Sequence, residues 1–208
     1  MEKMLVTQAL NELKLLDARI RKEIHSSRFV GSARTASETV NGKTKDEFEK
    51  TAKANFDSIN DLIDRRMKIK KAIILSNAQT KVTFDDKEYT VAELIDMKAS
   101  ITYQEQLLVT MRNQYDNGSK DVNRNNEIMQ DKIDKLIETS IGTEKKKSDD
   151  NSDIESITTI YRKNNEHSLV DPINVLEKIE ALEKYIMNFK SNVDSILQIS
   201  NCTTTIEI

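Results

Sequence analysis

The chain has 208 residues and a net charge of −3 from 32 basic and 35 acidic side chains; it is 37% hydrophobic and only 5% aromatic, with four Gly, one Pro and no Trp. So few turn-formers and large rings point to a handful of long elements joined by Ile/Leu seams, an all-α chain of long antiparallel helices. The charge is well mixed and offers no basic stripe for duplex nucleic acid, and no run approaches the roughly 20 apolar residues of a membrane span.

The charged opening MEKMLVTQALNELKLL does not read as a secretory signal. A single cysteine, Cys202, excludes an internal disulfide framework and fits a reducing cytosol. Val6, Leu10, Leu13, Ile20 and Ile24 follow four-and-three spacing, with Leu16 beside the line and Asp17 interrupting it, and predict a helix over 3–25. Residues 26–45 then turn rich in hydroxyls and carry an Asn-Gly turn signal, so a mobile loop or loose hairpin is expected. A second helix over 46–75 would turn Phe48, Ala52, Ile59, Ile63, Ile69 and Ile73 inward and stop at Ser76-Asn77. KVTF and KEYT around Asp85-Asp86 read as a hairpin. Thr90 and Glu93 form a capping box for a third helix, with Leu94, Met97, Ile101, Leu108, Met111 and Tyr115 on its buried face.

The stretch 116–120, DNGSK, reads as a turn or kink, followed by a helical stretch with Met129, Ile133, Leu136 and Ile137 inward. Residues 142–153 are polar, charged and expected to be mobile; SITTIYRK after them reads as a strand. Asp171-Pro172 would start the last helix, whose seam of Val175, Ile179, Leu182, Ile186, Phe189, Val193 and Ile196 is regular enough to serve a partner chain as well. A single helical domain over 1–208 is expected.

One pattern occurs twice. AIILSNAQTKVTF and ILQISNCTTTIEI each run apolar residues into Ser-Asn and reach Thr three residues after the Asn. The expected geometry is a shared helix-to-strand corner, with both extended segments, and SITTIYRK, meeting as a small sheet at one end of the bundle. The competing reading makes Asn77, Thr80, Asn201 and Thr204 a polar ligand site.

These residues also carry a resemblance. AIILSNAQTKVTF–DDKEYTVAELIDMK, followed downstream by a helix ending in SNCTTTIEI, resembles a family of small helical proteins of bacteria and phages, many called septicolysin-like. The similarity covers the first helix, 63–115 and 154–208. The family pattern has an aromatic where this chain has Cys202. The family name implies a toxin, yet the sequence has no long amphipathic hairpin built to enter lipid.

No catalytic or metal constellation is legible. His25 and His167 stand alone, Cys202 reads as a small residue under the second corner, and nucleotide-binding glycine motifs are missing. The most ligand-like stretch is 27–37, SRFVGSARTAS. There Arg28 and Arg34 supply forked donors, Gly31 and Ser32 let loop amides approach an anion, and Phe29 offers a stacking face. Lys43 and Lys45 would add a basic rim. The plain alternative is a soluble connection. The sequence therefore leads to a non-enzymatic, oligomeric binding protein without a cofactor; the phage resemblance implies a concrete form, a phage-encoded protein in the host cytoplasm that sequesters a small anionic ligand of the nucleotide type or a host defence factor. The alternatives are an assembly protein acting through its helix faces, a nucleotide hydrolase, and a septicolysin-like toxin.

Overall fold

The computed structural model describes residues 2–143 and 151–208 and is all-α with small two-stranded sheets. In chain order the elements are β1 (Lys3–Leu5), α1 (Val6–Ser26), β2 (Thr39–Val40), β3 (Lys43–Thr44), α2 (Lys45–Gln79), β4 (Lys81–Phe84), β5 (Lys87–Thr90), α3 (Val91–Thr143), α4 (Asn151–Asn165), α5 (Val175–Thr203) and β6 (Thr205–Glu207). Among the described residues no helix is long and apolar enough to cross a membrane.

The repeated ending is a corner in both places, but the helices run further than the Ser-Asn pairs suggested. α2 continues through Ser76-Asn77 to Gln79, and α5 through Ser200-Asn201 to Thr203. The stop falls on the Thr: the amide of Thr80 donates to the Ser76 carbonyl at 2.8 Å, and that of Thr204 to the Ser200 carbonyl at 2.9 Å. The extended segments do not meet each other, and SITTIYRK is no part of a sheet. β4 pairs antiparallel with β5 and β6 with β1, in equivalent registers: Lys81 faces Thr90 as Thr205 faces Leu5, and Val82 faces Tyr89 as Ile206 faces Met4.

The equivalence continues into the next helix. The amide of Val91 donates to the Thr80 carbonyl and that of Val6 to the Thr204 carbonyl, at 2.9 and 3.0 Å. Glu93 takes the amide of Thr90 and Gln8 takes that of Leu5, so both helices open with the same reach-back from their third residue. The first three residues of the chain's predicted first helix therefore form β1 instead. Asp85 and Asp86 both have positive φ, as do Asn41 and Gly42 between β2 and β3, the geometry that matches strand twist in a two-residue hairpin.

The chain divides into two compact units, residues 1–99 with 189–208, and residues 100–188. In the first, α1 packs antiparallel on α2 around Val6, Ala9, Leu13, Leu16, Ile20, Ile69 and Ile73, with Ile206 of β6 closing the cluster. Arg65 of α2 bridges Glu2 and Glu12, and Arg66 pairs with Asp17. In the same unit Phe84 meets Phe189 edge-on at 5.3 Å. In the second unit α3 and α5 are joined by the Arg112–Glu183 ion pair, while Asn126 clamps the backbone of His167, accepting from its amide and donating to its carbonyl.

Three sequence expectations are corrected in this second unit. α3 runs unbroken through DNGSK, and Leu169 lies over Gly118 within it: a Cβ there would lie 2.9 Å from Leu169 Cδ1. SITTIYRK lies within α4, where Arg162 donates to Gln130 of α3. α5 starts at Val175, and Asp171 caps it from four residues upstream by accepting the Val175 amide, with Pro172 in the intervening turn. The polar stretch expected to be mobile, 142–153, falls largely outside the described residues. Of the α5 seam, Ile179, Ile186, Phe189 and Val193 are buried and Val175, Leu182 and Ile196 half-buried. Leu10, Ile24 and Leu136, expected inward, are exposed.

The ion pairs set a pH dependence. Arg65 holds the Glu2 carboxyl below the usual glutamate range, Arg66 does so for Asp17, and Lys3 for Glu207. A carboxyl whose folded pKa is depressed contributes stability that is full above its unfolded pKa and is lost as pH falls through the folded value. Thermal melts should therefore decline modestly below about pH 4, and Arg65→Gln should flatten that limb while slightly lowering the plateau above it. Parallel curves for the two proteins would contradict the assignment.

Candidate functional site

At the far end of α1 the chain leaves the helix through Ser27, whose amide still donates to the Glu23 carbonyl. An arm of irregular backbone then returns over the β2–β3 hairpin and the start of α2. The hairpin turns tightly at Asn41-Gly42, and Thr44 caps α2 by accepting the Glu47 amide while Glu47 accepts that of Thr44. These local rules place the loop's polar residues with few degrees of freedom left. Lys45 secures the arm by donating to the Thr35 carbonyl, and the Ser37 amide donates to that of Arg34.

Gly31 explains the arm's course. A Cβ there would sit 2.5 Å from Val40 Cγ1 and 3.2 Å from the Phe48 ring, so only glycine lets the arm lie on the buried Val40. On one side of this contact, Ser26, Arg28, Asn41, Lys43, Phe48, Thr51 and Asn55 line a cavity of about 450 Å³. No carboxylate is among these residues. Arg28 makes no ion pair among the described residues, and Lys43 only reaches the Thr51 hydroxyl at 3.5 Å. On the other side, Phe29 meets Phe56 edge-on at 6.4 Å above a second cavity lined by Ala52, Lys53 and Asp57.

The sequence-derived candidates are thus only partly assembled. Arg28 faces the polar cavity, Phe29 the neighbouring one, and Gly31 fixes the arm between them. Ser32 and Arg34 lie exposed further along the arm and line neither cavity. Asn77 and Thr80 stand at the opposite end of α2, roughly 40 Å away along the helix at 1.5 Å per residue. Asn201 and Thr204 belong to the corner that packs near that same end, through Ile206 against Ile69 and Ile73. All four corner residues are half-buried; the backbone of each Thr closes its corner, and the Thr80 hydroxyl lies 3.5 Å from that of Ser76. Cys202 is exposed, with its thiol 3.4 Å from the Thr7 hydroxyl, and does not tuck beneath the corner.

Sequence reasoning missed Asn41, Thr51, Asn55 and Phe48 as cavity residues. Phe48 had been assigned to the helix core, and it is half-buried as a cavity wall. The spacing of Phe48, Thr51 and Asn55 at three and four residues could have shown one helix face turned to the loop. Among the described residues no cluster of His, Cys, Asp and Glu has the arrangement of a metal site. Comparisons with protein-family models, with curated proteins and with solved structures yield no match.

Gly31→Ala should push the arm from Val40. Amide exchange over 27–40 should accelerate and a protease should cut there sooner, with the melting temperature nearly unchanged because the arm lies outside the α1–α2 core. Unaltered exchange in that segment would show that the close approach does not hold the arm.

Proposed function

We propose that the protein is a non-enzymatic binder of a small anionic ligand of the nucleotide type, received in the cavity between the 26–31 arm and the start of α2. The observation that carries this reading is a cavity of about 450 Å³ with two cationic side chains, Arg28 and Lys43, and no carboxylate in its lining. Arg28 supplies a forked pair of donors suited to phosphate or carboxylate oxygens, and Lys43 a compact charge. Asn41 and Asn55 offer amide edges and Thr51 a hydroxyl; the Phe48 ring gives an apolar wall. Binding of this kind acts by mass action on the free ligand and needs no catalytic group. Sequestration in a bacterial host, as the phage and bacterial resemblance implies, is one use of such a site.

Calorimetric titration with mononucleotides, cyclic nucleotides and inorganic phosphate tests this. Loss of a charge-assisted hydrogen bond in Arg28→Ala should weaken binding about 10- to 100-fold. Arg34→Ala, outside the cavity, should leave affinity unchanged. The bound compound should be recovered intact. Equal affinity of Arg28→Ala and the parent, or no heat with any anion, would end the proposal in favour of an assembly role. That second reading has its own observation in the exposed apolar side chains of α2.

A further inference from the structure

α2 is apolar on two faces. One packs on α1 through Ile69 and Ile73. The other carries Phe56, Met67 and Ile74, which stay 59%, 54% and 58% exposed although Phe29 touches Phe56, with Ile63 at its edge, half-buried and packed in part against the α1–α2 core. At 3.6 residues per turn these four fall on one line along the helix, within about 40° of each other. Their spacing of seven, four and seven residues follows the heptad repeat of a coiled-coil seam, with the polar Asn60 and Lys70 at the intervening positions. It also reads the same in both directions, centred on Arg65.

The charges beside the seam reverse about the same centre. Along one side, Asp57, Asp61 and Asp64 precede it, and Lys68 and Lys71 follow it. None of these five side chains makes an ion pair among the described residues. An antiparallel copy of α2 laid on this face would set Phe56 against the partner's Ile74 and Ile63 against the partner's Met67. Each acidic half would then face a basic half, and a parallel copy would oppose like charges instead. A contact in which the same patch serves both subunits is the ordinary basis of a twofold dimer.

We infer that a second copy of this chain covers the Phe56–Ile63–Met67–Ile74 face, forming an antiparallel α2–α2 seam about a twofold axis at Arg65. The seam is distinct from the α5 one read in the sequence. In this register the partner's Asn77 lies level with Lys53, a lining residue of the Phe29 cavity, so one corner motif of each copy comes alongside the loop end of the other.

Sedimentation equilibrium tests the seam. The parent should show twice the chain mass. Met67→Glu combined with Ile74→Glu should return it to 23.8 kDa with its helical circular dichroism retained, whereas Leu15→Glu, on a 71% exposed residue of α1, should remain dimeric. Asp57→Lys should weaken the dimer, and adding Lys71→Asp to it should restore the dimer, an outcome that a merely unfolded variant cannot produce. A monomeric parent, an assembly that survives both glutamates, or a charge swap without rescue would overturn the inference.

Discussion

A helix that hands its chain to a strand leaves its last carbonyls without intrahelical partners, and a buried carbonyl must find a donor. The first unit is organised around two solutions to that demand. At Thr80 and at Thr204 the cap amide closes onto a serine carbonyl four residues back, while the threonine's own carbonyl takes the first amide of the neighbouring helix. One threonine thus joins two helix ends and starts a strand pair. The register of the strands follows from it, and so does the placing of Val6 and Val91, each 2% exposed, at the head of the helix that carries the core onward.

Much of this was legible. The twofold occurrence of SNxxT signalled a shared corner, the Thr90/Glu93 pair signalled a helix start, and Asp85-Asp86 and Asn41-Gly42 fell where hairpins turn. What misled was local composition read without its neighbours. DNGSK has turn chemistry, yet the helix carries through it, with Leu169 lying against Gly118. SITTIYRK has strand composition, but β-branching is only a weak preference, and the segment lies in α4, where Arg162 donates to Gln130 of α3. Strand pairing between residues some 200 apart, β1 with β6, leaves no periodic trace in so short a segment.

The candidate site shows the same division. Arg28, Phe29 and Gly31 were legible because charge, ring and glycine fell together in one loop. Asn41 and Asn55 were not, because a carboxamide on a helix face or hairpin looks like solvent-facing polarity until the opposing arm is placed. Arg34 had the right chemistry and the wrong position, since the turn that brings the Ser37 amide onto its carbonyl carries it past the cavity. Distance also separates the candidates: α2 keeps the loop cavity and the Thr80 corner at opposite ends of one helix.

The two corners share a backbone and differ in what fills them. Where one sets Arg65 between Glu2 and Glu12, the other sets Phe189, fully buried, against Phe84. In the aromatic corner the strands are also tied by a two-residue turn, so their pairing is local and adds little loop-closure entropy. In the other, β1 and β6 are joined only through the whole chain. Around them stand ion pairs that are a third or more exposed, Lys3–Glu207 and Arg65–Glu2, of a kind that contributes little each. Ile206 and Val6 therefore supply most of what holds that corner closed. It follows that opening of the first unit begins there, at the β1–β6 pair, while the hairpin corner and its aromatic contact persist as the more stable part.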